Sequence, residues 1–138
     1  MAIYALSVVT VFRYVNLVLK NDVLNVMEQQ TTKKAVTIKP VKVTLNVELP
    51  QITLTYNLNM KNTDSVLDFL NELRRTTNFR YQKTSYVDRN EIDYINGIYP
   101  QDGFKWRIYS NEKDLTQTFE DTHLENNTTY VIKLIKEN

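Results

Sequence analysis

Two neighbouring segments in the middle of the chain alternate strictly between apolar and polar residues, and this alternation constrains the fold most strongly. The apolar positions are Val41, Val43, Leu45, Val47 and Leu49 in the first segment and Ile52, Leu54, Tyr56, Leu58 and Met60 in the second. Side chains of a β-strand point alternately to opposite faces, so a period of two is typical of a strand buried on one face. Only Pro50 and Gln51 separate the segments, which predicts an antiparallel hairpin.

A helix is predicted directly after this hairpin. Val66, Leu67, Leu70 and Leu73 are spaced to form one apolar face, and the polar residues at 62–65 offer N-caps. Arg74 and Arg75 suit the negative end of a helix. We therefore expect a helix from about Asp64 to Arg75, lying across one face of the sheet because its apolar stripe is narrow.

The later part of the chain contains further strand signals. Extended segments are predicted near Phe79–Tyr81, Ile92–Ile95, Phe104–Tyr109 and Thr129–Lys136. Asn96-Gly97, directly after the second of these, is the strongest turn signal in the chain. These strands are expected to complete the sheet, although their order in space does not follow from the pattern.

The first 20 residues are strongly apolar, lack acidic residues and carry only two charges. As a helix they form one polar stripe on an apolar cylinder, the pattern of a helix lying on a membrane or a partner protein. A β-strand and a cleaved signal peptide are the alternatives, but the basic start and small-residue cleavage site of a signal peptide are missing. Our docking candidates are Val8, Val11, Phe12, Arg13 and Val15. We expect residues 1–34 to form this helix and a connector, and residues 35–138 to form the folded domain.

The composition excludes several classes of site. The chain has no cysteine, so disulfides, thiolate zinc sites and cysteine nucleophiles are ruled out. Its two glycines cannot build a phosphate-binding loop, and a net charge of +1 gives no footprint for nucleic acid. The only histidine, His123, alternates with Asp121 and Glu125, but a solvated loop explains this pattern better than a metal site. We therefore predict no enzyme activity, no metal and no nucleic-acid partner.

Aromatic residues are concentrated between Tyr81 and Tyr109. A sheet shows only half of each strand's side chains to its core, so some of these rings are expected on the surface, where tyrosine and tryptophan favour interfaces. Ordinary core packing is the alternative. The candidates for binding a ligand or partner are Tyr99, Phe104, Trp106 and Tyr109.

Four pieces of the chain, in their order and spacing, resemble the transcobalamin C-terminal-like domain family. The pieces are Thr63–Leu70, Ile95–Ile98, Trp106–Lys113 and the closing strand that follows Leu124–Asn127. The resemblance covers about residues 41 to 137. It implies an α+β fold with a β-grasp-like mixed sheet and one crossing helix, here preceded by the N-terminal apolar helix.

Two turns depart from the family's usual sequence. Asn111-Glu112-Lys113 stands where the family usually has Asn-Gly-Lys, and Asn126-Asn127 stands where it has Gly-Asp. Asparagine tolerates left-handed backbone, so the second turn is expected to survive. The first turn is expected to change its type.

The resemblance and the N-terminal segment favour different functions. In the family's best-known members this domain contributes apolar and aromatic contacts to one side of a cobalamin held by a helical domain. That implies a small-ligand, corrinoid-like binding module, with Trp106 and Tyr109 stacking on the ligand. Because the helical domain is missing here, we predict no resident cofactor.

The acid-free apolar start instead predicts a non-enzymatic accessory or assembly subunit of a larger complex. Its partners would be other protein subunits and the membrane, contacted through residues 1–20. This interpretation favours a membrane-associated, mitochondrial location, with a secreted or cell-surface location as the alternative.

Overall fold

The computed structural model describes residues 37–137, in which one helix packs on a seven-stranded mixed sheet. The elements are β1 (Pro40–Glu48), β2 (Thr53–Lys61), α1 (Val66–Thr76), β3 (Tyr81–Ser85), β4 (Asn90–Ile95), β5 (Phe104–Ser110), β6 (Lys113–Asp114) and β7 (Thr128–Lys136). The predicted mixed sheet with one helix is confirmed for this part of the chain. The predicted N-terminal helix and the boundary between residues 34 and 35 lie outside the described residues.

The order of strands across the sheet is β2-β1-β7-β5-β4-β3, with β6 paired to β5. The first and last long strands, β1 and β7, are parallel neighbours in the middle, and the other pairs are antiparallel. The alternating hairpin forms as predicted, with Val43 opposite Leu58 and Val47 opposite Leu54. Residues 49–52 connect its two strands.

The core lies between α1 and one face of the sheet. Its completely buried side chains come from the inner positions of β1, β5 and β7 and from the helix. They include Val43, Leu45, Val47, Phe69, Leu70, Leu73, Ile108 and Ile132. The periodicity therefore identified the inward face of each long strand correctly.

The helix begins at Val66, two residues later than predicted, because Ser65 caps it. The Ser65 hydroxyl accepts a hydrogen bond from the Asp68 N–H at 3.2 Å, and an Asp68 carboxylate oxygen accepts one from the Ser65 N–H at 2.8 Å. The N–H groups of Val66 and Leu67 donate to the carbonyls of Thr122 and Phe119. The segment around Phe119 thus satisfies the first turn of the helix.

The segment at residues 115–124 contributes to the core. Its buried apolar side chains are Leu115, Phe119 and Leu124, each at most 4% exposed, and Thr116 is buried beside them. Asp121, His123 and Glu125 are exposed, as expected for a solvated segment. The buried apolar residues of this segment were not predicted from the sequence, although Leu115 and Phe119 have the spacing of one helical turn.

Two tight turns place consecutive residues in the left-handed region. Asn96 and Gly97 have φ of +47° and +91°, and Ile95 and Ile98 exchange backbone hydrogen bonds of 2.8 and 3.1 Å, as the turn signal predicts. Asn111 and Glu112 also have positive φ, +48° and +67°. The expected change of turn type at Glu112 is therefore wrong: this residue adopts the conformation that glycine favours. Asn127, at +59°, keeps its turn as expected.

Candidate ligand-binding cleft

The four aromatic candidates lie in three different environments. Trp106 is in the core, Tyr109 is on the outer face of the sheet, and Tyr99 and Phe104 line one open cleft. Three of these residues belong to β5, so their separation follows from the alternation of the strand and from what covers each end of it.

Trp106 is 1% exposed and belongs to the core. Its indole N–H donates a hydrogen bond of 3.3 Å to the carbonyl oxygen of Ile98. The strands β4 and β5 pair only between Ile92 and Trp106, so the indole packs where the two strands meet. A ligand cannot stack on this ring without opening the core. The tryptophan stacking expected from the family resemblance therefore has no support in this structure.

Tyr109 follows the buried Ile108 along β5 and faces the other side of the sheet. It lies opposite Val131 of β7, and the Lys133 ammonium nitrogen sits 4.9 Å from the centre of its ring. This cation–π contact occupies the aromatic face. Tyr109 does not line the open cleft of Tyr99 and Phe104, although Lys133, which contacts the Tyr109 ring, does.

Tyr99 and Phe104 contribute the exposed aromatic surface of an open cleft of about 450 Å³. Their side chains are 64% and 38% exposed. The apolar part of the lining is completed by Leu49, Pro50, Ile98 and Leu134. These residues come from the β1–β2 turn, the β4–β5 loop and the end of β7, so the cleft exists only when distant parts of the chain meet at one end of the sheet.

Backbone contacts hold both rings in place. The left-handed turn at Asn96 and Gly97 returns the chain so that Ile98 and Tyr99 follow directly, and the Tyr99 ring packs on Tyr94 at a centroid distance of 5.1 Å. The Phe104 N–H donates to the carbonyl of Gln101 at 2.9 Å. Phe104 is the first residue of β5 and shares the inward face of Trp106, but nothing in the described chain covers it completely.

Glu48 and Gln101 contribute polar groups to the cleft, and Lys133 also lines it, although its ammonium group lies over the Tyr109 ring. An apolar floor with a few polar groups at its edge is the usual composition of a small-molecule site. Such a lining can bind by burial of apolar area and by ring stacking. It offers no paired nucleophile and base.

A second cleft, of about 350 Å³, opens beside the single pairing between β4 and β5. It is lined mainly by charged and polar residues, and Phe104 and Trp106 of β5 are among its apolar lining residues. The side chain of Gln117 accepts a hydrogen bond from the Asn90 N–H and donates one to the Asn90 carbonyl, at 2.7 and 3.1 Å, in place of a strand partner. Hydrogen bonds from Arg89 and Lys105 lower the pKa of Glu91 below its usual range. These charged groups already satisfy one another across the cleft.

The described residues contain no group of three or more histidine, aspartate or glutamate side chains that could hold a metal ion. Within residues 37–137 no helix is long and apolar enough to cross a membrane. The docking candidates Val8, Val11, Phe12, Arg13 and Val15 lie outside the described residues, so membrane or partner docking by this segment stays a prediction.

Comparison with known proteins identifies a fold and not a family. No protein-family model matches the chain, and no curated protein matches it in sequence. Among solved structures it is similar to haptocorrin in complex with Cbi, with a TM-score of 0.63 and 15% identity over 72% of this chain. It is also similar to a protein from Ruminococcus gnavus whose name provisionally describes metal binding, with a TM-score of 0.59 and 11% identity over 71% of this chain.

The two similar structures differ in extent. The match covers 99% of the Ruminococcus gnavus chain but only 26% of the haptocorrin chain. At these identities the likeness shows the fold alone. The structural similarity to haptocorrin thus supports the fold that the transcobalamin-like resemblance predicts.

Sequence reasoning found two of the cleft residues and missed the others. Tyr99 and Phe104 were candidates because they belong to the aromatic-rich segment. Leu49, Pro50 and Leu134 look like ordinary strand and turn residues, and their position at the cleft depends on the parallel pairing of β1 with β7. No local signal predicts that pairing.

Proposed function

We propose that this chain is a non-enzymatic binding module that holds one face of a flat ring ligand of the corrinoid type. The observation that carries the proposal is the pair of exposed rings, Tyr99 and Phe104, on one wall of a concave apolar cleft. Large exposed rings at a concave surface are characteristic of binding sites.

The size and shape of the cleft agree with a ligand that is covered on one side only. Its volume of about 450 Å³ falls within the usual range of small-molecule sites, and it is open to solvent. A flat ring system would lie over Leu49, Ile98 and Leu134 and contact Tyr99 and Phe104. A second protein or domain would then cover its other side.

The fold provides the second line of support. The parallel β1 and β7 in the middle of the sheet, with α1 packed on one face, are the arrangement expected of a β-grasp-like, transcobalamin-like domain. Haptocorrin, which shares the fold, was solved in complex with Cbi. Because only 26% of haptocorrin is matched, transfer of its ligand class to this chain is part of the proposal.

The assembly-subunit hypothesis depends on different residues. It is motivated by the apolar, acid-free residues 1–20, whose docking side chains lie outside the described residues. The contacts described for residues 37–137 favour ligand binding over that hypothesis. A membrane-associated or mitochondrial location remains a prediction from the sequence, as does the secreted or cell-surface alternative.

The proposal is tested by calorimetric titration of the full chain with cobinamide and with cobalamin. Phe104→Ala and Tyr99→Ala should each weaken binding about 2–13-fold, since a stacked ring contributes about 0.5–1.5 kcal/mol beyond its buried area. Tyr86→Ala is the matched control, because Tyr86 is an exposed tyrosine outside the cleft, at 48% exposure, stacked under Arg89. The Tyr86→Ala variant should bind cobinamide and cobalamin as tightly as the wild type does.

The outcomes separate the ligand from the site. No heat change with either corrinoid at ligand concentrations up to about 1 mM would exclude the corrinoid class. Binding that is equally tight in Phe104→Ala, Tyr99→Ala and the wild type would exclude this cleft as the site.

A further inference from the structure

Among residues 37–137, β2 forms one edge of the sheet and pairs with β1 on one side only. It is nine residues long, Thr53–Lys61, with no proline and a charge only at its last residue. Its register against β1 is continuous from end to end. A long, regular and uncharged edge strand can accept another strand, and native proteins normally block such edges.

The hydrogen bonds at the two ends of the β1–β2 ladder show which backbone groups of β2 bond to β1 and which point away from it. The Leu49 N–H donates to the Ile52 carbonyl at 2.9 Å, and the Asn62 N–H donates to the Lys39 carbonyl at 3.0 Å. Bonded and non-bonded pairs alternate along an antiparallel ladder. The even-numbered residues of β2 therefore bond to β1. The odd-numbered residues turn their N–H and C=O groups outward: Thr53, Thr55, Asn57, Asn59 and Lys61.

Of these outward groups, only those of Lys61 have partners among the contacts of residues 37–137. The Lys61 N–H donates to an Asp64 carboxylate oxygen at 2.9 Å, and the Lys61 carbonyl accepts from the Asp64 N–H at 3.0 Å. This contact occupies the last of the outward backbone groups, at the carboxyl end of β2. The groups from Thr53 to Asn59 remain open to a further strand.

The opposite edge of the sheet is protected in the usual way. That edge strand, β3, is only five residues long, and its register shifts between Gln82 and Lys83. The Lys83 ammonium group pairs with the Glu120 carboxylate beside the edge. Short length, a bulge and a charged lysine are the devices that prevent strand addition. Within residues 37–137 the sheet thus has one blocked edge, at β3, and one edge without a partner strand, at β2.

The sequence of β2 is complementary to itself when two copies run antiparallel. With Asn57 opposite the second copy's Asn57, Thr55 faces Asn59, Tyr56 faces Leu58 and Leu54 faces Met60. Apolar side chains meet apolar ones on the helix side of the sheet, where they are only half-buried in one copy. In this register the outward residues of both strands meet as hydrogen-bonded pairs.

The polar side of this pairing repeats contacts already present within the chain. Thr44 donates to the Asn57 side-chain oxygen at 2.7 Å, and Thr55 donates to the Asn46 side-chain oxygen at 2.9 Å. Threonine opposite asparagine is therefore a pair that this sheet forms. The antiparallel register centred on Asn57 would place the same two residue types opposite each other, Thr55 of one copy and Asn59 of the other, where the two β2 strands pair.

The charges beside β2 are also complementary under a two-fold axis. The groove next to Met60 is lined by Asp64 and Asp68 at the beginning of α1 and by Arg74 and Arg75 at its end, where Arg75 is already paired with Glu72. A two-fold axis reverses the direction of the second helix. The acidic end of each helix then faces the basic end of the other.

We propose that β2 is a homodimerisation edge, at which a second copy of this chain adds its own β2 antiparallel, with the two-fold axis at Asn57. The two sheets then form one continuous sheet with both helices on the same face. The proposal is independent of the ligand, because the cleft of Tyr99 and Phe104 lies outside β2.

The test uses sedimentation of the full chain at concentrations up to about 0.1 mM. The wild type is expected to sediment as a dimer, at twice the 16.3 kDa of one chain. Asn57→Lys and Asn57→Asp each place two like charges on the axis, which should weaken dimerisation about tenfold or more. Mixing the two variants pairs opposite charges and should restore the dimer.

Asn46→Lys is the matched control. It removes the hydrogen bond between Thr55 and Asn46 and adds the same charge as Asn57→Lys, but on β1, one strand away from the proposed interface. It should dimerise like the wild type. Circular dichroism checks that each variant is folded.

Three results would overturn the proposal. A wild-type chain that stays at 16.3 kDa would do so, whether the edge is free or covered by residues 1–36 of its own chain. Dimerisation of Asn57→Lys as tight as that of the wild type would place the interface elsewhere. If mixing the lysine and aspartate variants does not restore the dimer, the two-fold axis does not lie at Asn57.

Discussion

Replacing Glu112 by glycine should stabilise the protein. Glu112 has a φ of +67° in the turn between β5 and β6, and its side chain is exposed. No hydrogen bond or ion pair of this side chain is found among residues 37–137. The left-handed conformation costs a residue with a Cβ about 1–2 kcal/mol. Glycine avoids that cost but loses about 0.5–1 kcal/mol more in conformational entropy on folding.

The balance predicts that Glu112→Gly raises the free energy of unfolding by about 0.5–1 kcal/mol. Urea unfolding followed by far-ultraviolet circular dichroism measures this change. Since Trp106 is the only tryptophan, its fluorescence provides a second, core-specific signal. Agreement of the two transitions would justify a two-state analysis.

Glu112→Ala is the control that separates backbone conformation from loss of the side chain. Alanine also lacks the carboxylate but retains the Cβ that disfavours a left-handed residue. Its stability should stay close to that of the wild type. If the glycine variant is no more stable than the alanine variant, the turn is not strained at Glu112 and the reasoning fails.

Two further predictions concern the core and an ion pair. Trp106→Phe should lower the free energy of unfolding by about 1–3 kcal/mol, because it removes buried ring volume and the bond to Ile98, yet leave ligand affinity unchanged. Lost affinity with full stability would instead place the indole at the ligand. A hydrogen bond from Lys83 lowers the pKa of Glu120, so the pair stabilises the fold above the ordinary glutamate pKa of 4.5 and loses this effect as the pH falls through the folded-state pKa. The stability difference between wild type and Glu120→Gln, about 0.5 kcal/mol at pH 7, should therefore shrink towards pH 3 in urea titrations, and a constant difference would contradict this assignment.

The local structure was largely predictable from the sequence. The alternation from Val41 to Met60 predicted both strands of the hairpin and the face that each buries. The apolar spacing after Ser65 predicted α1 to within two residues. Asn96-Gly97 predicted a turn that needs left-handed backbone at both positions. Each of these features depends on neighbours in the chain, so the sequence alone contains enough information.

The candidate site was predictable only in part. Alternation places Phe104 and Trp106 on the same face of β5, and both were candidates. It does not reveal that β4, β7 and the loop at Ile98 enclose Trp106 while the end of the sheet leaves Phe104 at 38% exposure. Tyr109 was grouped with them by composition, although the period of two assigns it to the other face.

What the sequence determined by itself is the long strands, the helix and the inward side of each, because these follow from propensity and periodicity along the chain, whereas the two-residue β6 was not predicted. What only the tertiary structure decided is which strands become neighbours. The parallel pairing of β1 with β7 joins residues 43–48 to residues 128–133 and brings Leu49, Phe104 and Leu134 to one cleft. It also leaves β2 at an open edge. Such contacts depend on how all the apolar faces can be buried together, and no local pattern contains that information.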